Sequence, residues 1–146
     1  MKPITVEEFM TPRPVCIDAS ATVLDACRRM QATGCRHLPV VREGTLLGLV
    51  SQRGLYRLER LAGSERASDP VVDAMDVPYV AEPETPLVFV AEEMERRKTG
   101  ACVVASQGKV LGIFTTNDAL TALATLLSAT AGTRRRRDAH ASSGPL

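Results

Sequence analysis

"LPVVREGTLLGLVS", residues 38–51, has a counterpart 64 residues later in "CVVASQGKVLGIFT", residues 102–115. In each stretch a β-branched run stops at a glycine, Gly44 or Gly108. A second apolar run follows, carries its own glycine, and ends on a hydroxyl, Ser51 or Thr115. That is the pattern of two strands joined by a tight turn. The self-similarity extends upstream at the same offset, where "TVLDACRRM" (22–30) matches "PLVFVAEEM" (86–94). Further back, "FMTPRP" pairs with "AMDVP" across a one-residue gap. The chain is therefore written twice, with residues 1–57 as one unit and residues 72–127 as the other. Residues 58–71, which contain the turn-forming "AGSERASDP", read as a connector. Residues 128–146 form an Arg-rich tail without apolar periodicity, expected to be disordered.

Each unit reads strand, helix, strand, strand, helix, an α/β (α+β) arrangement. "PVCID" and "YVAE" are short extended pieces. Val23, Leu24, Cys27 and Met30 mark one face of a first helix at helical spacing. Its counterpart opens with Thr85 as the cap and Pro86 at the first helical position. In the last helix of each unit the apolar face is expected at Leu55, Leu58 and Ala62, and at Leu120, Leu123, Ala124 and Leu127. Two helices cover only one side of a three-stranded sheet, so a tandem copy related by approximate twofold symmetry supplies the missing cover. Neither half alone buries enough surface.

The composition is ordinary for a soluble globular protein, with 45% hydrophobic and 24% charged residues. Aromatics make up only 3%, so the core must be built from Val, Leu, Ile, Ala and Met. No apolar run reaches the roughly 18 residues that span a bilayer. "MKPITVEEFM" lacks the apolar stretch of a signal peptide, and the expectation is a cytoplasmic protein with no membrane partner. The four cysteines (Cys16, Cys27, Cys35, Cys102) show neither CxxC pairing nor zinc-like spacing and read as small buried hydrophobes. The net charge of +1 conceals an asymmetry: Arg134, Arg135, Arg136 and Arg137 against Asp138 give the tail +3, leaving the body at −2. An acidic-leaning body is no nucleic-acid footprint.

The doubled pattern of hydrophobic-Pro-Val-Val, turn glycine, Leu-Gly-Leu-Val-Ser and a following Gly or Asp resembles the cystathionine β-synthase (CBS) domain pair, or Bateman module. The resemblance covers nearly the whole chain except the tail and implies two tandem β-α-β-β-α repeats with pseudo-twofold symmetry. It further implies a regulatory, non-catalytic module without a cofactor. Adenosine-containing ligands such as AMP, ADP, ATP or S-adenosylmethionine would bind in two clefts between the repeats. Homodimerisation through the helices and an unidentified protein effector are also implied. Carried over residue by residue, one cleft joins Thr115 and Asp118 with Val15, Cys16 and Ile17 and with Cys35, Arg36 and His37. The second, weaker cleft joins Ser51 and Gly54 with Tyr79, Val80 and Ala81 and with Thr99, Gly100 and Ala101.

The chemistry weights the clefts unequally. A ribose offers two adjacent hydroxyl donors that one carboxylate can accept, and ionised acceptors make the stronger hydrogen bonds. Asp118 can do this, whereas Gly54 has no side chain. Thr115 and a helix N-terminus offer donors to a phosphate, and Arg36 and His37 are expected to add positive charge. The competing account of Asp118 is a helix cap that complements the dipole. Cys35 and His37 do not read as a nucleophilic pair, because no third orienting residue is recognisable. With one acid they could assemble a metal site, which the count of only two histidines, one of them His140 in the tail, disfavours. Four arginines in a disordered tail would give only salt-sensitive attraction to nucleic acid. Residues 119–131 lack a cationic polar face, so core or dimer packing is preferred to membrane-surface binding.

Overall fold

The computed structural model describes residues 2–141. Among the described residues, seven strands and four α-helices are arranged as two similar halves: β1 (Thr11–Pro12), β2 (Ile17–Asp18), α1 (Val23–Thr33), β3 (His37–Arg42), β4 (Thr45–Ser51) and α2 (Gln52–Ala62), then β5 (Tyr79–Ala81), α3 (Leu87–Arg97), β6 (Ala101–Ser106), β7 (Lys109–Thr115) and α4 (Thr116–Ala141). One sheet has the order β2-β3-β4 and the other β1-β7-β6-β5. β3 and β4 pair antiparallel, as do β6 and β7, with a register irregularity at the equivalent places, Val40/Val41 and Val104/Ala105. Both hairpins turn through two consecutive residues of positive φ, Glu43-Gly44 and Gln107-Gly108. This is the backbone that a two-residue hairpin requires and that favours glycine at its second position.

Local chemistry sets the helix ends. Thr22 caps α1 in a reciprocal box with Asp25, each side chain accepting the other's backbone N–H. Gly34, at φ +74°, stops the helix in the left-handed region. α3 begins at Leu87, one residue later than the sequence pattern indicates, and Pro86 takes the cap position. The carbonyl of Thr85 instead accepts the N–H of Val6.

That last bond belongs to a crossover that the alignment of repeats does not reveal. The segment before each repeat packs into the other repeat. Residues 4–12 lie on the second half: Val6 N–H bonds Thr85, Leu87 N–H bonds Ile4, and β1 pairs with β7. Residues 67–76 lie on the first half: Val23 and Leu24 N–H groups bond Asp69 and Ala67, and Asp76 exchanges both backbone bonds with Leu49. Val71 is thus fully buried in the first core, with Ile17, Leu38, Val40 and Val50. Val6 is fully buried in the second, with Val90, Cys102, Val104 and Phe114. A third cluster, Leu49, Ala101, Val103, Ala105 and Ile113, joins the halves.

Three expectations change. α2 continues through residues 58–62, so the connector is shorter than 58–71. α4 runs to Ala141 instead of giving way to a disordered tail at 128. Ala and Arg are strong helix formers and no proline interrupts the segment before Pro145. Residues 142–146 of the expected tail, and the side chains of the four arginines and of Ala62, lie outside the described residues. The face of α4 also differs. Ala119 and Ala122 turn inward, while Leu120 and Leu123 are 63% and 53% exposed and Leu127 is exposed with them. No helix among the described residues is long and apolar enough to cross a membrane.

Candidate functional site

β7 ends at Thr115 and α4 begins at the next residue, so Thr115 and Asp118 stand at cap and third helical position. The Asp118 carboxylate turns back on the cap: Oδ2 accepts the Thr115 N–H at 2.9 Å and its hydroxyl at 3.2 Å. Thr115 Oγ1 in turn accepts the Asp118 N–H at 3.4 Å. A third donor arrives from the opposite repeat, for the Thr11 hydroxyl lies 3.0 Å from Asp118 Oδ1. The register explains its arrival, since Thr11 sits opposite Ile113, two residues before Thr115. An ionised carboxylate has about four acceptor sites, so Asp118 retains capacity, and the Thr115 hydroxyl can rotate away to free more. The cap account of Asp118 is realised in full, and the carboxylate still lies at a junction between repeats.

The equivalent end of β4 is simpler. Ser51 Oγ accepts the Gly54 N–H at 3.0 Å, and no side chain at 54 reaches back. Beside each helix start lies its own repeat's pre-strand segment. Gln52 N–H bonds the carbonyl of Arg36 at 2.8 Å, and Thr116 N–H bonds that of Gly100 at 3.1 Å. The strand registers repeat the relation, His37 opposite Ser51 and Ala101 opposite Thr115. The hydrogen bonds therefore seat Arg36 and His37 next to Ser51, and Gly100 and Ala101 next to Thr115. The expected crosswise grouping is met only where the segments face each other: a methyl at Gly100 would stand 3.8 Å from His37 Nε2. His37 thus lies between the two helix N-termini. Burial, and then the charge of Arg36, hold its pKa below the ordinary histidine value. Near neutral pH it offers a neutral imidazole and not the positive charge expected of it.

The remaining residues divide by exposure. Ile17 is buried in the first core and paired with Val40, whereas Val15 is exposed. The Cys16 thiol donates to the Pro14 carbonyl at 3.4 Å, and the Cys16 carbonyl accepts from Arg29 Nη1 at 2.6 Å. Cys35 lies against the Thr33 hydroxyl at 2.9 Å. Tyr79 pairs with Cys102 and carries the Arg97 guanidinium 4.6 Å above its ring, Val80 is exposed, and Ala81 is buried. The Thr99 hydroxyl donates to the Ala101 carbonyl. Burial raises the thiol pKa values of Cys16 and Cys27 and pushes that of Cys102 up to about 12. Of the four cysteines expected to be buried, Cys102 is, whereas Cys16, Cys27 and Cys35 are half-buried. The residue missed in the sequence is Thr11. Its signal was the match of Met10 with Met75, which marks the segments that cross between halves.

Residues 6–60 and 68–125 each match the CBS domain family. Among solved structures, a protein of Vibrio cholerae assigned to acetoin utilization (AcuB) is 30% identical, with a TM-score of 0.79 over 89% of this chain and 97% of the other. CBSX2, solved in complex with AMP, is 29% identical, with a TM-score of 0.72 over 84% of this chain and 97% of the other. Two curated relatives are each 26% identical: the A-adding tRNA nucleotidyltransferase of Aquifex aeolicus over 82% of this chain, and the CBS domain-containing protein CBSCBSPB1 of Arabidopsis thaliana over 80%. The chain spans only 14% and 23% of their lengths.

Proposed function

The chain belongs to the CBS domain family and carries the repeat twice, and on that premise we propose that it is a regulatory module sensing an adenosine-containing nucleotide (AMP, ADP or ATP). The observation that carries this reading is Asp118, a carboxylate with spare acceptor capacity, fixed at a helix N-terminus and touched by both repeats. Such a group accepts the paired hydroxyls of a ribose, while the Thr115 hydroxyl and the positive end of the α4 dipole favour a phosphate beside it. The 29% identity to a protein solved with AMP supports the ligand class. The module regulates and does not catalyse. Its output surface is the pair α3 and α4, where Val88, Phe89, Leu120, Leu123 and Leu127 are exposed. Two copies associate there, and the dimer presents its state to a protein effector.

A second reading has its own support. The caps made by Asp118 account for its presence without any ligand, as in a scaffold that acts through α3 and α4 alone. Calorimetric titration with AMP, ADP, ATP and S-adenosylmethionine separates the two. Binding of an adenine nucleotide, weakened in Asp118→Ala by roughly ten- to a hundredfold, is expected from loss of a charge-assisted hydrogen bond worth about 1.5–3 kcal/mol. Silence with all four, from protein that unfolds cooperatively, would leave the scaffold.

A further inference from the structure

Each crossing segment is pinned by one methionine, and the two stand at equivalent places. Met10 precedes Thr11, which lies opposite Ile113, and Met75 precedes Asp76, which lies opposite Leu49. Ile113 and Leu49 occupy the same position of the two repeats. The thioether of Met10 lies on Gly112 of β7 and that of Met75 on Gly48 of β4, each filling the space that a Cβ would take. The carbonyl oxygens of Thr11 and Asp76 stand 3.0 and 3.1 Å from those same points, so side chain and backbone close over the strand together. Both methionines are only half-buried. Met75 packs on the apolar first core, which holds Val71, and Met10 on the apolar second core, which holds Val6. The other described methionines, Met30 and Met94, are 4% and 5% exposed. The accessible thioethers thus sit where the halves interlock, and the enclosed ones do not.

We infer that Met10 and Met75 form a paired oxidation site, at which a peroxide loosens both crossing segments. Each thioether sulfur attacks the O–O bond of hydrogen peroxide, takes one oxygen as the sulfoxide and leaves the other as water. Sulfur is oxidised by two electrons and the peroxide is reduced. The product no longer suits its place. Turned inward, the sulfoxide oxygen enters an apolar cluster, where an unbonded polar group is costly. Turned outward, it leaves the space over the glycine empty and forfeits the contacts made there. Either way the segment loses its hold on the strand, beside the Thr11–Asp118 bond in one repeat and the Asp76–Leu49 bonds in the other. Methionine sulfoxide reductases, with a dithiol as reductant, return the thioether and release the oxygen as water. The cysteines compete poorly for the oxidant, because burial raises the thiol pKa of Cys16, Cys27 and Cys102 and leaves little thiolate. This site is independent of the nucleotide reading.

The test treats the full chain with hydrogen peroxide and follows each methionine by peptide mass spectrometry. Met10 and Met75 should be converted well before Met30 and Met94. Urea titration of the product should show an unfolding constant raised about tenfold or more, as for an uncompensated polar group in an apolar site. The amides of Val6, Leu49 and Asp76, bonded across the repeats, should then exchange with deuterium faster. The double variant Met10→Leu/Met75→Leu keeps the apolar volume and removes both sulfurs. It should be as stable after peroxide as before, although it retains all four cysteines. A further arm needs no substitution: sulfoxide reductases with dithiothreitol should restore the oxidised protein, and dithiothreitol alone, which reverses only thiol oxidation, should not. Equal oxidation rates at all four methionines would overturn the inference. So would unchanged stability with both sulfoxides formed, an equal loss in the leucine variant, or recovery with dithiothreitol alone.

Discussion

The crossing segments are held down by side chains that sit where a strand residue has none. Gly112 is in the middle of β7, and a Cβ built there would collide with Sδ and Cγ of Met10 and come within 3.0 Å of the Thr11 carbonyl oxygen. Gly112→Ala must therefore displace the Met10 side chain, which is flexible, and strain against the Thr11 backbone, which is not. Overpacking of this kind costs about 1–3 kcal/mol. Met10→Ala removes the thioether from a half-buried position and should cost about 2 kcal/mol, the low end for methionine truncation. Combined, the two changes relieve each other in part, because the new methyl enters space that Met10 has vacated. The double variant should thus be less destabilised than the sum of the singles by about 1–2 kcal/mol, well beyond the few tenths expected of independent sites. The carbonyl contact survives in the double variant, so it should remain below Met10→Ala alone. Urea unfolding of the four proteins, compared at constant m, measures all of this. Strict additivity of the two penalties would refute the knob-over-glycine account of how the N-terminal segment is anchored.

Other consequences are accessible to direct measurement. Because the fold holds the His37 pKa below its unfolded value, the unfolded chain binds the extra proton more readily. The stability involved is complete above pH about 6.5 and is lost as pH falls below it; the wild-type minus His37→Gln difference in unfolding free energy, taken between pH 8 and 5, should decline in that direction, and a flat difference would contradict it. If two copies associate through α3 and α4 as proposed, replacing exposed Leu120 and Leu123 by glutamate should lower the mass in light scattering from dimer to folded monomer, and an unchanged mass would contradict that interface. The Val6 and Leu87 amides, bonded across the repeats to Thr85 and Ile4, should exchange with deuterium as slowly with nucleotide as without it; acceleration by nucleotide would mean that the N-terminal segment lifts.

Much of the architecture is legible because it is repeated. An offset of 64 residues fixes both hairpins, and the glycines at 44 and 108 occupy the turn positions that favour them. What repetition cannot convey is exchange between the copies. Val6 and Val71 stand ahead of the repeats that follow them in the chain and are buried in the opposite ones, and only their contacts show it. The same limit governs the clefts. Sequence establishes that Arg36 corresponds to Gly100, but whether either faces its own helix or the other's depends on the sheet register. On α4 the leucine stripe is real, and periodicity says only that one face is apolar. The helix approaches its sheet through Ala119 and Ala122, whose small side chains permit close packing, and this leaves the larger stripe outside.

The magnitudes limit how such a module can signal. Val6 and Val71 are each 0% exposed, and burial of a valine is worth about 1.5–3 kcal/mol. Undocking both crossing segments would therefore cost at least about 3–6 kcal/mol from these two side chains alone, before the backbone bonds at Thr85 and Ala21 are counted. A ligand at a hundred times its dissociation constant supplies about 2.7 kcal/mol, and only if it binds one state exclusively. Nucleotide cannot separate the halves on those terms. The softer coordinate is the junction between the sheets, where Leu49 of one sheet meets Ala101, Val103, Ala105 and Ile113 of the other and the two alanines allow sliding with little loss of contact. Such a shear would carry the Thr11–Asp118 contact and the start of α4 together, since both are fastened to β7. It would reach the exposed leucines of α4 without disturbing either core. Slow exchange at Val6 and Leu87 in the presence of nucleotide is what this division of the molecule requires.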